Sequence, residues 1–126
     1  MSNTSGCACN AAPKLVFACS GAADVGELSG LAARKMTRDG TGKMYCLTGI
    51  GGHVSGIMET TQAAKAILVI DGCQQCCGQK TLQLAGFTGF MHLQLTNMGF
   101  VKGETVISEE NIEKVSGKGA ELLRTV

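Results

Sequence analysis

The fold is decided by the stretch AILVIDGCQQCC, residues 66–77. Residues 66–70 form the most strongly β-branched run in the chain, which is typical of a strand buried on both faces of a parallel sheet. Residues 73–77 then place three cysteines within five positions, just past that strand and at the expected start of a helix. Three thiols at such a place are difficult to explain by packing alone. We therefore interpret this stretch as half of a thiolate metal site, with the other half supplied from elsewhere in the chain.

The composition favours a single domain without a strongly charged partner. A chain of 126 residues can form one hydrophobic core and bury about two-thirds of its unfolded surface. Its residues are 44% hydrophobic and its formal net charge is +1, which argues against a nucleic-acid footprint and against a disordered acidic tail. We therefore expect no nucleic-acid partner, and the sequence indicates no particular protein partner.

The amino-terminal residues and the cysteine count predict a cytoplasmic protein. Residues 1–13 have no apolar segment of signal-peptide length, and no apolar run approaches the roughly 20 residues that span a bilayer, so no membrane partner is expected. Seven cysteines, an odd number, fit a closed set of secreted disulfides poorly, whereas a reducing cytosol favours metal or redox chemistry. Residues 1–13, small and polar around Cys7 and Cys9, are predicted to form a flexible arm before one α/β domain at residues 14–126.

Strands and helices are predicted to alternate along the chain. The predicted strands are residues 14–18, 43–47, 66–70 and 91–96, and the predicted helices are residues 24–39, 55–64, 74–85 and 109–126. Asp24, with Glu27 three residues on, is predicted to cap the first helix, and Ser108 the last. Alternation of this kind indicates a parallel sheet, because each parallel crossover needs a dozen or more residues and usually a helix. We predict a three-layer α/β fold, with a four-stranded, mainly parallel sheet of order 2-1-3-4 and helices on both faces.

Three cysteines recur at the same place in successive units. Cys19, Cys46 and Cys73 each fall at or just beyond the carboxyl end of a predicted strand, and 46 − 19 and 73 − 46 both equal 27. That interval is close to the roughly 30 residues of one βαβ unit. Because parallel strands bring their carboxyl ends to one edge of a sheet, the three thiols are predicted to converge on one metal ion. The fourth ligand is either Cys76 or Cys77, about one helical turn beyond Cys73.

The cysteines and the glycines near them carry a resemblance to a known family. The matching residues are CSGA at 19–22, Cys46 followed by GIGG at 49–52, and DGC at 71–73 with Cys77 and Lys80. This pattern, from Lys14 to about Phe100, resembles the DGC family, which is named for that tripeptide and described as zinc-binding on the strength of four cysteines. The resemblance implies that Zn²⁺ is bound by Cys19, Cys46, Cys73 and Cys77. Cys76, Cys7 and Cys9 lie outside that pattern, so Cys76 remains an alternative fourth ligand and the other two remain candidates for further coordination.

Four further residues are predicted to support the metal from outside its ligand shell. Asp71 is expected either to orient the site or to cap the helix that follows it. Lys80 would offset thiolate charge, while Gly51 and Gly52 would let the backbone pass close to the metal and donate N–H bonds to sulfur. His92, on the predicted edge strand, is interpreted as a surface residue.

The leading hypothesis is a small zinc-binding protein with a structural role, a regulatory role, or a role in metal or thiol handling. A closed site of four thiolates leaves no position for water, so hydrolytic catalysis is not expected. The first alternative is a thiol-dependent redox or transfer enzyme that uses Cys19 or Cys77 as its nucleophile. The second alternative is an iron-sulfur protein, because four cysteine thiolates serve either metal.

Overall fold

Four parallel strands form one sheet in the order β2-β1-β3-β4. The computed structural model describes residues 12–126, and its strands are β1 Lys14–Ala18, β2 Lys43–Met44, β3 Ala66–Asp71 and β4 Met91–Gln94. The central strands β1 and β3 pair along their whole common length, with Ala18 opposite Ile70. Their apolar side chains are almost completely buried, as expected for strands covered on both faces. The predicted parallel sheet and its strand order are confirmed.

Helices cover both faces of the sheet. One face carries α1 Asp24–Asp39 and α5 Glu109–Leu123, and the other carries α2 Leu47–Gly51, α3 Ser55–Gln62 and α4 Cys77–Leu84. Successive residues of β1 alternate between the two cores, because side chains of a strand point to opposite faces in turn. Val16 packs in the core under α1 and α5, whereas Leu15 and Phe17 pack in the core under α2 and α4. The three-layer α/β prediction is therefore confirmed.

Several element boundaries differ from the sequence-based expectation. The second strand ends at Met44 because Cys46 takes an extended N-cap conformation and its sulfur accepts a hydrogen bond from Gly49 N–H, 3.3 Å away, which starts α2. The glycine-rich residues after it therefore form a short helix instead of an open turn. The fourth strand is also shorter, since a 3-10 helix, Leu95–Met98, follows it directly.

The two predicted helix caps have different outcomes. The N-cap of α1 is Ala23, so the prediction of Asp24 as its cap is wrong. Asp24 instead accepts backbone N–H bonds from Gly103 and Thr105, at 2.9 Å each, which attach the loop after β4 to the start of α1. Ser108 does cap α5, with its hydroxyl oxygen accepting a bond from Asn111 N–H at 3.1 Å.

The carboxyl edge of the sheet, where β1, β3 and β4 end, lies against the first turn of α1. A Cβ atom on Gly72 would lie 2.7 Å from the carbonyl carbon of Val25 and 2.9 Å from the nitrogen of Gly26. These are backbone atoms that cannot move aside, so only glycine allows the turn after β3 to approach α1 so closely. Over residues 12–126, no helix combines the length and the apolar character needed to cross a membrane.

Candidate metal centre

All five cysteines that the structure describes lie at the carboxyl edge, and all have free thiols. Cys19 follows β1, Cys46 precedes α2, Cys73 and Cys76 lie in the turn after β3, and Cys77 is the first residue of α4. The two short helices α2 and α4 pack against each other on the same face of the sheet. Cys7 and Cys9 lie outside the described residues, as does almost all of the predicted arm.

Cys19 directly follows β1, one of the two inner strands of the sheet. Its backbone N–H donates to the Ile70 carbonyl oxygen at 3.0 Å, which keeps it beside the end of β3. Burial raises the pKa of its thiol; the Gly21 backbone N–H that bonds to the sulfur opposes this rise, and the charges of Asp71, Cys77 and Cys73 add to it. Without metal the Cys19 thiol stays protonated at neutral pH, and a metal ion would have to displace that proton.

Cys46 shares a cleft with Cys19. The cleft has a volume of about 600 Å³ and is lined by both cysteines together with Arg34 and Tyr45. The Cys46 side chain is exposed, and its sulfur already accepts the N–H bond of Gly49 that starts α2. This bond fixes the Cys46 sulfur at the amino-terminal end of α2.

The turn after β3 carries two cysteines and corrects one step of the sequence argument. Cys76 N–H bonds to the Cys73 carbonyl oxygen at 3.1 Å, and Cys76 has a left-handed backbone, with φ 54° and ψ 48°. The helix begins only at Cys77, so the prediction of a helix from Gln74 is wrong. Cys73 and Cys76 are brought together by a tight turn instead. The sulfur of Cys73 accepts a bond from Lys102 Nζ at 3.8 Å.

Asp71 is a buried carboxylate with three hydrogen-bond partners. Only 1% of its side chain is exposed. One oxygen, Oδ1, accepts the N–H of Gly78 at 2.7 Å, while Oδ2 accepts the N–H of Gln79 at 3.0 Å and lies 2.8 Å from His92 Nε2. Asp71 thus caps the first turn of α4, one of its two predicted roles, and it orients His92; its role beside a metal stays a prediction.

His92 is the residue that the sequence argument missed. It was interpreted as a surface residue, but only 21% of its side chain is exposed and its ring is hydrogen-bonded to Asp71, so that interpretation is wrong. Strand β4 pairs with β3 so that His92 lies opposite Val69 and Gln94 opposite Asp71. Residues two apart in a strand share a face, so His92 and Gln94 both lie on the face of Asp71. The alternation of polar and apolar residues in β4 could have indicated that His92 and Gln94 share a face. Placing that face beside Asp71 also requires the register between β3 and β4.

Asp71, Cys76 and His92 form a compact donor group. One ligand atom from each of the three lies within 4.8 Å of the others, and among residues 12–126 no other such group of three is found. Burial raises the pKa of the Cys76 thiol, the charge of Asp71 raises it further, and Lys80 lowers it. The Cys76 thiol donates to Gln94 Oε1 at 3.3 Å. Thiol, imidazole and carboxylate donors in this arrangement could hold a metal ion.

The remaining predicted residues have separate positions. The sulfurs of Cys19, Cys46, Cys73 and Cys77 share the carboxyl edge without forming a group within 4.8 Å, so their joint ligation stays a prediction. Lys80 is exposed on α4 and acts on Cys76 through its charge.

The glycines at the end of α2 are exposed. A Cβ on Gly51 would meet only Thr81, at 3.9 Å, and one on Gly52 would lie 3.5 Å from the Thr48 carbonyl oxygen. The residue of this loop whose N–H reaches a sulfur is Gly49, which the sequence argument did not select. A role for Gly51 and Gly52 beside the metal also stays a prediction.

Comparisons with known proteins agree with the resemblance drawn from the cysteines. A family model described as the DGC domain matches residues 15–118. The chain is also similar to the "Anaerobic and virulence modulator AnvM" of Pseudomonas aeruginosa, with 32% identity over 88 residues, which are 70% of this chain and 67% of that protein. No solved structure matches the chain. Because the family model spans all four strands and every cysteine that the structure describes, the chain belongs to the DGC domain family.

Proposed function

We propose that the protein binds one zinc ion tightly through the thiolates of Cys19, Cys46, Cys73 and Cys77. The observation that supports this most is the position of Cys19. It lines the same cleft as Cys46, and the charges of Cys73 and Cys77 add to the rise in the pKa of its thiol. The proposal therefore makes Cys19 the ligand that the other three thiols share as a neighbour.

The donor chemistry fits zinc. Sulfurs bound to a tetrahedral zinc lie about 2.3 Å from the metal, and therefore roughly 3.8 Å from one another. Cys46 and Cys77 are exposed, and the proposal requires their side chains to turn inward to reach this spacing. Four thiolates and one Zn²⁺ carry a net charge of −2, which Lys102 beside Cys73 and the N–H groups of Gly21 and Gly49 would partly offset.

A site of this kind holds its metal without an open position, which favours a structural or regulatory role, or one in metal or thiol handling, over hydrolysis. The name of the related Pseudomonas protein describes a modulator, and a regulatory role for this chain is in keeping with it. The same chemistry requires reduced thiols, which a cytoplasmic location would maintain. In this proposal residues 14–126 form the zinc-binding domain, with Cys77 as fourth ligand and Cys76 as its alternative.

The test is elemental analysis of anaerobically purified protein after a chelator wash, repeated with each of five cysteines changed to serine. We expect one zinc per chain in the wild type, and loss of that zinc in Cys19→Ser, Cys46→Ser, Cys73→Ser and Cys77→Ser. Cys76→Ser is the matched control and should retain it. Zinc retained by Cys19→Ser would contradict the proposal, because Cys19 is the residue that joins the other thiols. A brown preparation that contains iron and sulfide would show that the thiolates hold an iron-sulfur cluster instead of zinc.

One observation favours thiol chemistry as a second candidate function. Lys102 Nζ contacts the sulfur of Cys73. Cys76 follows three residues later in the same turn, so Cys73 and Cys76 could form a reversible disulfide. Burial makes Cys19 a poor nucleophile because it raises the pKa of that thiol. Alkylation of folded, metal-free protein tests this candidate: one thiol should react far faster than the others, and uniform rates would reject it.

A further inference from the structure

We propose a second cation site, formed by Asp71, Cys76 and His92 and separate from the four-thiolate site. It would take zinc or a similar borderline-soft divalent ion, with three protein ligands and one position left open. None of its three ligands belongs to the thiolate set Cys19, Cys46, Cys73 and Cys77. The proposal therefore requires only that Cys77, and not its alternative Cys76, is the fourth ligand of that set.

The three donor atoms already lie close to the positions that a metal requires. They are within 4.8 Å of one another, and His92 Nε2 is 2.8 Å from Asp71 Oδ2. Zinc binds nitrogen and carboxylate oxygen at about 2.0–2.2 Å, so tetrahedral ligands of this type lie roughly 3.4 Å apart. The nitrogen and the oxygen thus need to separate by only about half an ångström for a zinc ion to replace the proton between them.

The surrounding structure holds each ligand in place. The Asp71 carboxylate is buried and is fixed by two backbone N–H groups of α4, from Gly78 and Gln79. His92 is fixed by the pairing of β4 with β3. Cys76 occupies a left-handed backbone position that non-glycine residues seldom adopt and that is enriched at functional sites. Ligands held in this way lose little conformational freedom when a metal binds.

The charge and the coordination number distinguish this site from the thiolate site. One thiolate and one carboxylate balance the two charges of a zinc ion, while the imidazole is neutral, so the loaded site carries no net charge. Three protein ligands with an open fourth position are the pattern of zinc sites that bind water or a small anion. The amide oxygen of Gln94, which accepts a hydrogen bond from the Cys76 thiol at 3.3 Å, lies beside one of the three ligands and is a protein group available for that position. The site would therefore exchange its fourth ligand, which a closed four-thiolate site cannot do.

The test is a pair of titrations of the metal-free full chain under argon: Co²⁺ followed by absorption, and diamagnetic Zn²⁺ followed by NMR of the imidazole protons. The chain has only two histidines, His53 and His92, so the two imidazoles can be followed separately. We expect two equivalents to bind: the first gives a tetrathiolate spectrum and leaves both imidazoles unchanged, and the second shifts His92 alone. An addition of azide should then alter the spectrum of the second equivalent and not that of the first.

The test uses substitutions of His92 and Cys76. Asp71 is left unchanged because it also holds α4, so that its replacement could unfold the chain. His92→Gln and Cys76→Ser should each weaken the second equivalent by at least about tenfold and leave the first unchanged. His53→Gln is the matched control, since His53 is exposed and lies in the turn after α2, and it should bind both equivalents. Two equivalents bound normally by His92→Gln, or a His92 imidazole that never shifts, would overturn the proposal. In Cys46→Ser the tetrathiolate spectrum should vanish while the His92 shift persists, which separates failure of this site from failure of the zinc-thiolate proposal.

Discussion

Replacing Asp71 with asparagine tests how the carboxyl edge is held together. The substitution keeps the shape and the Oδ1 acceptor of the Gly78 N–H, but it replaces Oδ2 with an NH₂ group that cannot accept. The N–H of Gln79 then loses its partner at 3.0 Å. His92 can accept from the new NH₂ group by changing its tautomer, so that contact is preserved.

The expected loss follows from the single bond that cannot be replaced. A hydrogen bond to a charged group contributes about 1.5–3 kcal/mol, and Gln79 is only partly buried, so water can restore a part of this. We expect the free energy of unfolding to fall by about 2 kcal/mol. For a domain of this size the melting temperature would fall by about 8 °C.

The assay is urea unfolding of the protein in excess chelator, so that metal binding does not contribute. Asp39→Asn is the matched control, because Asp39 is exposed and pairs only with Lys35 one turn earlier in α1, at 2.8 Å. An exposed pair of this type contributes little to stability, because solvent screens it. If Asp71→Asn loses no more stability than Asp39→Asn, the carboxylate does not anchor α4 and the reasoning about the site is refuted.

Two further predictions concern contacts that hold the same edge. Gly72→Ala should destabilise the fold by about 1–3 kcal/mol in urea unfolding, because its Cβ would meet the backbone of α1. Gly56→Ala is the control, since Gly56 lies in α3 with open space around it, and it should be neutral or stabilising. Equal changes in the two variants would contradict the close approach of Gly72 to α1. The N–H groups of Gly103 and Thr105 lower the pKa of Asp24 below its usual 3.8. Hydrogen exchange should therefore find these two amides protected above pH 3.8, and the protection should be lost as the pH falls through the lowered pKa. Asp24→Asn should reduce the protection of both amides at neutral pH. Unchanged exchange in that variant would refute the contact.

The fold was predictable because its signals are local. The apolar run of residues 66–70 is long enough to be recognised as a buried strand, and the intervals between runs are long enough for crossover helices. Given parallel strands and right-handed crossovers, few strand orders remain. The equal spacing of Cys19, Cys46 and Cys73 correctly places all three at one edge, since that spacing follows from the repeated βαβ unit.

The donor group was less predictable because it is made by contacts between distant residues. His92 and Asp71 are 21 positions apart, and their contact depends on the register of β3 and β4. A shift of one residue would turn His92 to the other face. The left-handed backbone of Cys76 was equally hidden, because a cysteine has no special preference for that conformation. Helix α2 is only five residues long, too short for a helical period to appear in the sequence.

The most direct measurement of the central claim is zinc-edge X-ray absorption on the full chain loaded with one equivalent of zinc. The zinc-thiolate proposal predicts a first shell of four sulfurs at about 2.3 Å. The same spectrum should be obtained from Cys76→Ser and from His92→Gln, since neither residue belongs to the four-thiolate set. A shell that contains nitrogen or oxygen at about 2.0–2.2 Å in the wild type would contradict the claim, and would assign the first zinc to the group around Asp71 instead.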